Sequence, residues 1–242
     1  MSDHVHLPLA LLRNPDTSKS ARPAFYRSKE LQENARKQWD ESRTGPLTEY
    51  GCTLGLAIGK SKSVSKSEEF AALPEAARLY LGKEETPEFE VMLNTPYMGH
   101  FFAPAAAVPV APFIIMLTHP QSIGSAKMQS SDPAVPLAFD PNIFSCPYDR
   151  RVAVEATREL MRVVDREAYK KDTVGVVRWP ASDSEEDILK VWREAVGSTW
   201  HSCGTARMAR TSTEGVVKNS FGVFGVKGLR VADLSVVPMV PR

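Results

Sequence analysis

One histidine stands where small neighbours would let a ligand come close. His201 lies between Trp200 and the run Ser202-Cys203-Gly204-Thr205, and the glycine, lacking a Cβ, permits close backbone approach. An unperturbed imidazole titrates near 6.5, so a neutral histidine is available there as a proton acceptor at physiological pH. Further on, the stretch LRVADLSVVP, from Leu229, sets a single carboxylate, Asp233, at the end of a β-branched run that reads as a short buried strand. Ligands gather beyond the carboxyl ends of strands in open α/β sheets, which makes Asp233 a reasonable polar contact for a cofactor. Cys203 could act as a nucleophile, but a small buried thiol is the commoner fate of such a residue.

The elements that must carry these residues are legible by period and punctuation. Residues 19–43 contain a helix, with Leu31, Ala35 and Trp39 four apart on one face, stopped by Gly45-Pro46. Residues 51–60 read as a strand, 61–67 as an exposed turn or loop, and 68–81 as a short helix in which Pro74 removes one hydrogen bond. Phe89 to Leu93 is a short strand and 110–118 a β-rich apolar run of the kind buried in a sheet. His119, just before Pro120, ends that run and is a weak candidate for touching substrate. Residues 151–171 form the clearest helix, with an apolar stripe of Ala153, Ala156, Leu160, Val164 and Ala168 and with Asp149 as its cap. A second helix opens with a capping box of Ser182 and Glu185, turns Ile188, Leu189, Trp192 and Ala195 inward, and stops at Gly197. That helix delivers the chain to Trp200 and His201.

Composition excludes several classes. The 242 residues are 43% hydrophobic and 24% charged with a formal net charge of +1, enough for a sizeable core and typical of a soluble globular chain. Lys and Arg are scattered without a basic stripe, so nucleic acid is not an expected partner. The longest apolar stretch, 101–117, is broken by Pro104, Pro109 and Pro112 and is no membrane span. Nothing at the start reads as a secretory signal, which leaves the cytoplasm as the default location. The cysteines, Cys52, Cys146 and Cys203, are odd in number and widely spaced, against both a disulfide framework and a metal site.

Taken together, the order Trp200-His201-x-x-Gly204-Thr205-x-x-Met208, then Gly215-Val-Val, then Gly225-Val-x-Gly-Leu-Arg-Val-x-Asp233-x-Ser-Val-x-Pro238 resembles the C-terminal signature of the glucose-methanol-choline (GMC) family of FAD-dependent oxidoreductases. Met1-Ser-Asp3-His4 is similar to the end of that family's Asn-x-x-Asp-His pattern, and Thr44 to Thr48 to a segment leading into its substrate domain. The resemblance implies an α+β fold: an antiparallel sheet flanked by helices over residues 1–197, the substrate-binding domain, plus a partial flavin-site segment over 198–242 and no complete Rossmann half. It implies FAD as cofactor, His201 as the base on a substrate hydroxyl, and Asp233, Trp200, Asp3 and His4 near the cofactor. The substrate would be a small-molecule alcohol with some hydrophobic bulk.

Departures from the pattern bear on function. Lys218 stands where the family often has aspartate, and Phe221-Gly222 replaces a usual Leu-Arg or Leu-Lys pair. No Gly-x-Gly-x-x-Gly turn between a strand and a helix is present to cradle a dinucleotide. Both ends of the sequence also read as internal to the family's pattern, so the expectation is a truncated or fragmentary member. Two other readings stand beside that one. The chain could be a non-catalytic binding or assembly protein, acting as a homo-oligomer or with a complementing flavin-domain chain. It could also be a cofactor-free acid/base catalyst, a cyclase or dehydratase with His201 as proton shuttle.

Overall fold

A continuous apolar run close to the N-terminus becomes the strand on which the sheet is assembled. The computed structural model describes residues 1–17, 25, 28–48, 55–93 and 109–241. In chain order the elements are β1 (Val5–Arg13), α1 (Lys29–Ser42), β2 (Gly55–Gly59), α2 (Lys62–Ser65), α3 (Glu68–Ala71), α4 (Glu75–Leu81), β3 (Phe89–Leu93), β4 (Val110–Leu117), β5 (Ser125–Lys127), β6 (Ala138–Asp140), α5 (Pro147–Val164), α6 (Glu167–Lys170), β7 (Thr173–Arg178), α7 (Glu185–Ala195) and β8 (Gly197–Ser198). The main sheet has the order β2-β3-β4-β1-β7 and is antiparallel throughout, with β8 added to the start of β1. β5 and β6 form a separate hairpin.

β1 is buried from Val5 to Leu11 on both of its faces, which is why its sequence is a run rather than an alternation. Val5, Leu7, Leu9 and Leu11 face the same core as Phe113, Ile115 and Leu117 of β4. The antiparallel register places Leu9 opposite Phe113 and Leu7 opposite Ile115. α5 and α7 close that core with Ala153, Ala156, Leu160, Ile188 and Trp192. The fully buried Trp192 indole donates to Thr157 Oγ1 at 3.0 Å, and that hydroxyl donates to Ala153 O at 2.7 Å, so the largest core side chain leaves no polar atom unpaired.

Local chemistry shifts several expected boundaries. Residues 62–65, expected as loop, form α2, because Ser61 caps it and Val64 is fully buried against the core. Pro74 does not sit inside a helix: it separates α3 from α4 and serves as the residue before α4, where its missing N–H costs nothing. Asp149 is not a cap either, since α5 starts two residues earlier at Pro147. The buried carboxylate of Asp149 instead accepts from the amides of Gln121 and Ser122, both at 2.7 Å. Ser184 rather than Ser182 caps α7, accepting from the Asp187 amide at 3.2 Å, while Ser182 bonds the Asp187 carboxylate at 2.5 Å. The expected strand at 51–60 is present as β2 where it is described; residues 51–54, including Cys52, lie outside the described residues.

Candidate active site

Two segments far apart in sequence are joined where β1 begins. Ser2 and Cys203 exchange backbone hydrogen bonds at 3.0 and 2.8 Å, and the Thr199 amide donates to His4 O at 3.1 Å. β8 continues this seam, with Val5 opposite Ser198 and His6 opposite Gly197. Gly197 is required there by space: a Cβ on it would lie 2.9 Å from Cε1 of the buried His6 ring, closer than real side chains allow.

Asp3 fixes the loop that follows. Its Oδ2 accepts from Ser198 Oγ at 2.5 Å and Ser202 Oγ at 2.9 Å, and its Oδ1 accepts from the His201 amide at 3.0 Å. Between those anchors Trp200 takes a left-handed conformation, φ 60°, with its amide donating to Ser198 Oγ at 2.9 Å. A bulky residue in that region is strained by roughly 1–2 kcal/mol. The loop nevertheless holds it, and the indole is 75% exposed. The turn aims His201 back toward the sheet.

There the two histidines meet. His4, buried at the mouth of β1, points Nδ1 at Nδ1 of His201, 3.0 Å away, and Nε2 at the carbonyl of Thr118, 2.9 Å away. The rings cross edge to face at 79°. Thr199 Oγ1 lies 3.1 Å from His201 Nδ1 and donates its own proton to His4 O at 3.0 Å. Burial pushes the His4 imidazole below its ordinary value, opposed by the Thr118 carbonyl and reinforced by the neighbouring His201, so His4 is neutral at neutral pH.

The structure thus gathers Asp3, His4, Trp200 and His201 into one cluster. Asp233 stands outside it. The expected buried strand at Leu229 does not form: Leu229 is half exposed, Gly222 and Arg230 make a single bridge, and Asp233 caps the short 3-10 turn Leu234–Val236 by accepting from the Ser235 amide at 2.8 Å. The β-branched run has another loop, rather than a sheet, to pair with. Its carboxylate, fully exposed, is held below the usual range by the Ser235 hydroxyl and amide. Burial raises the Cys203 thiol, which is 1% exposed, so it is a packed thiol rather than a nucleophile. His119 is buried against Pro87 O, at 2.8 Å, and the Tyr80 hydroxyl, at 3.3 Å, and braces the strand end. Sequence reasoning missed Ser198, Thr199, Ser202 and the Thr118 carbonyl. The hydroxyls flank His201 in the sequence, but nothing there shows that their partner is Asp3 or His4.

Comparison with known proteins identifies the class to which this sheet and its histidine-bearing loop belong. A family profile described as GMC oxidoreductase matches residues 120–242. The chain belongs to the GMC oxidoreductase family. It is 34% identical over 219 residues to a pyranose dehydrogenase of Agaricus xanthodermus, covering 86% of this chain and 35% of that protein. It is 28% identical over 250 residues to the chloroplastic fatty acid photodecarboxylase of Chlamydomonas reinhardtii, covering 100% of this chain and 39% of that protein. In fold it matches a formate oxidase of Aspergillus oryzae RIB40, studied for its FAD modification, with a TM-score of 0.80 at 22% identity over 99% of this chain and 43% of the oxidase. A fungal aryl-alcohol oxidase superposes with a TM-score of 0.73 at 22% identity, over 99% of this chain and 44% of the oxidase. The chain therefore spans less than half the length of each of these relatives.

Proposed function

We propose that this chain carries the substrate side and the proton-accepting histidine of an FAD-dependent alcohol oxidoreductase. The observation that carries the reading is the mounting of His201: its ring is held through Nδ1 by His4 and Thr199, Nε2 is outside those contacts, and an exposed tryptophan adjoins it, in a chain that belongs to the GMC family. The last segment offers apolar surface to a cofactor's ring end. Trp200, Phe221, Leu229, Leu234 and Met239 all present exposed apolar surface, suited to a flat ring system.

When bound, FAD supplies the two-electron acceptor for the hydrogen leaving the alcohol carbon. His201 takes the hydroxyl proton at Nε2 as the carbon-bound hydrogen departs with its electron pair, and the alcohol becomes a carbonyl compound. Trp200 and Asp233 would touch the cofactor, while Asp3 and His4 serve the site from behind His201. In this reading residues 1–197 form the substrate-binding domain and 198–242 a flavin-site segment. The nucleotide-binding half would come from sequence outside these 242 residues or from a complementing chain. The exposed apolar side chains of the last segment and the partial coverage of the pyranose dehydrogenase and the photodecarboxylase support that division.

The test is an absorbance titration with FAD of the chain purified together with its nucleotide-binding half and freed of unbound flavin, followed by addition of aryl or aliphatic alcohols. Oxidised-flavin bands that bleach with alcohol, and that persist unbleached in His201→Ala, are the expected result. Protein that retains no flavin under these conditions overturns the flavin reading, and equal bleaching in His201→Ala overturns the base assignment.

A further inference from the structure

We propose that His4 is a positioning residue that sets the tautomer of His201, so that Nε2 is the unprotonated nitrogen of the loop histidine. The inference rests on the reading of His201 as the base and adds how that base is kept in its working form. A carbonyl oxygen can only accept, so the 2.9 Å contact to Thr118 O requires the proton of His4 on Nε2. In a neutral ring that leaves Nδ1 as a lone pair. Facing it at 3.0 Å, Nδ1 of His201 must therefore be the donor. Thr199 agrees independently: its hydroxyl proton is committed to His4 O, and its oxygen offers Nδ1 of His201 a second lone pair. With its only ring proton held at Nδ1, neutral His201 has a free lone pair at Nε2. When Nε2 takes a proton, the Nδ1–H contacts survive unchanged, so the relay accommodates both protonation states of the base without rearranging.

This predicts a measurement that needs neither cofactor nor turnover. Long-range proton–nitrogen correlation spectra of the histidine-labelled chain, recorded above the histidine titration range, should show His4 protonated at Nε2 and His201 protonated at Nδ1. His4→Leu fills the space but offers no acceptor, and should move the His201 tautomer ratio toward Nε2–H by roughly fivefold, the equilibrium counterpart of one ordinary hydrogen bond. His4→Asn places an amide oxygen near the Nδ1 position and should restore the Nδ1–H form. A His201 protonated at Nε2 in the unaltered chain overturns the proposal, whether or not the variants fold. An unchanged ratio in folded His4→Leu does the same. Equal alcohol-dependent bleaching in His201→Ala would instead overturn the base reading and leave the tautomer result standing.

Discussion

Removing the Asp3 carboxylate should release the His201 loop without unfolding the sheet. Asp3 accepts three hydrogen bonds from residues 195 to 199 positions away, Ser198 Oγ, the His201 amide and Ser202 Oγ. A hydrogen bond to a charged group contributes roughly 1.5–3 kcal/mol when buried. These donors are exposed and water replaces much of what is lost, so about 2 kcal/mol for the whole clamp is the expected scale. The backbone seam between Ser2 and Cys203 and the β8 pairing remain, so the loss should be local. In Asp3→Ala, native-state hydrogen exchange should show the His201 amide exchanging roughly 30-fold faster, the factor that about 2 kcal/mol represents. Amides in the centre of β1 and β4 should keep their protection. Asp3→Asn, which retains one acceptor oxygen, should fall between the two. His201 protection unchanged in Asp3→Ala would refute the clamp, and uniform loss of protection across β1 and β4 would refute its local character.

Three further outcomes follow. Gly197→Ala should destabilise by about 1–3 kcal/mol, because the new Cβ would meet the buried His6 ring at 2.9 Å, and a urea midpoint equal to that of the parent chain would contradict it. The His4 imidazole is lowered from its ordinary 6.5, so as pH falls through about 6.5 the unfolded chain takes up a proton that the folded chain refuses. Its contribution to stability is therefore present above that pH and lost as the pH drops toward the folded value. Urea midpoints across about pH 5.5–7.5 should fall less steeply in His4→Asn than in the parent, and parallel curves would exclude the effect. Cys203, buried with a raised thiol pKa, should resist iodoacetamide at neutral pH until the chain is denatured, and rapid labelling of the folded protein would show it to be reactive.

Much of the architecture was legible because its signals are local. The apolar run of β4, the period of α1 and α5, and the inward stripe of α7 each announce themselves within a dozen or so residues, whereas β1, the strand at the centre of the sheet, was not read from the sequence. The failures were matters of register or partner. Ser182 and Ser184 are equally good caps by type, and it is Ser184 that accepts from the Asp187 amide. Asp149 looked like a cap because its true partners, the amides of Gln121 and Ser122, lie in another segment. The run ending at Asp233 has strand composition but no sheet to join. At the site, His201 could be singled out from its neighbours and by resemblance, and His4 and Asp3 by resemblance alone. That all three form one hydrogen-bonded cluster depends on tertiary contacts no local window contains.

The distance between those histidines along the chain has a kinetic consequence. His4 and His201 are 197 residues apart, and bringing them together closes a loop that includes nearly every element of the sheet. Such a closure is slow in proportion to the long-range pairing it needs. A partly folded chain thus has two ordinary histidines and no paired site. Appearance of the His4–His201 contact would serve as a clock for the completion of folding, marking the moment when the first strand and the last have met.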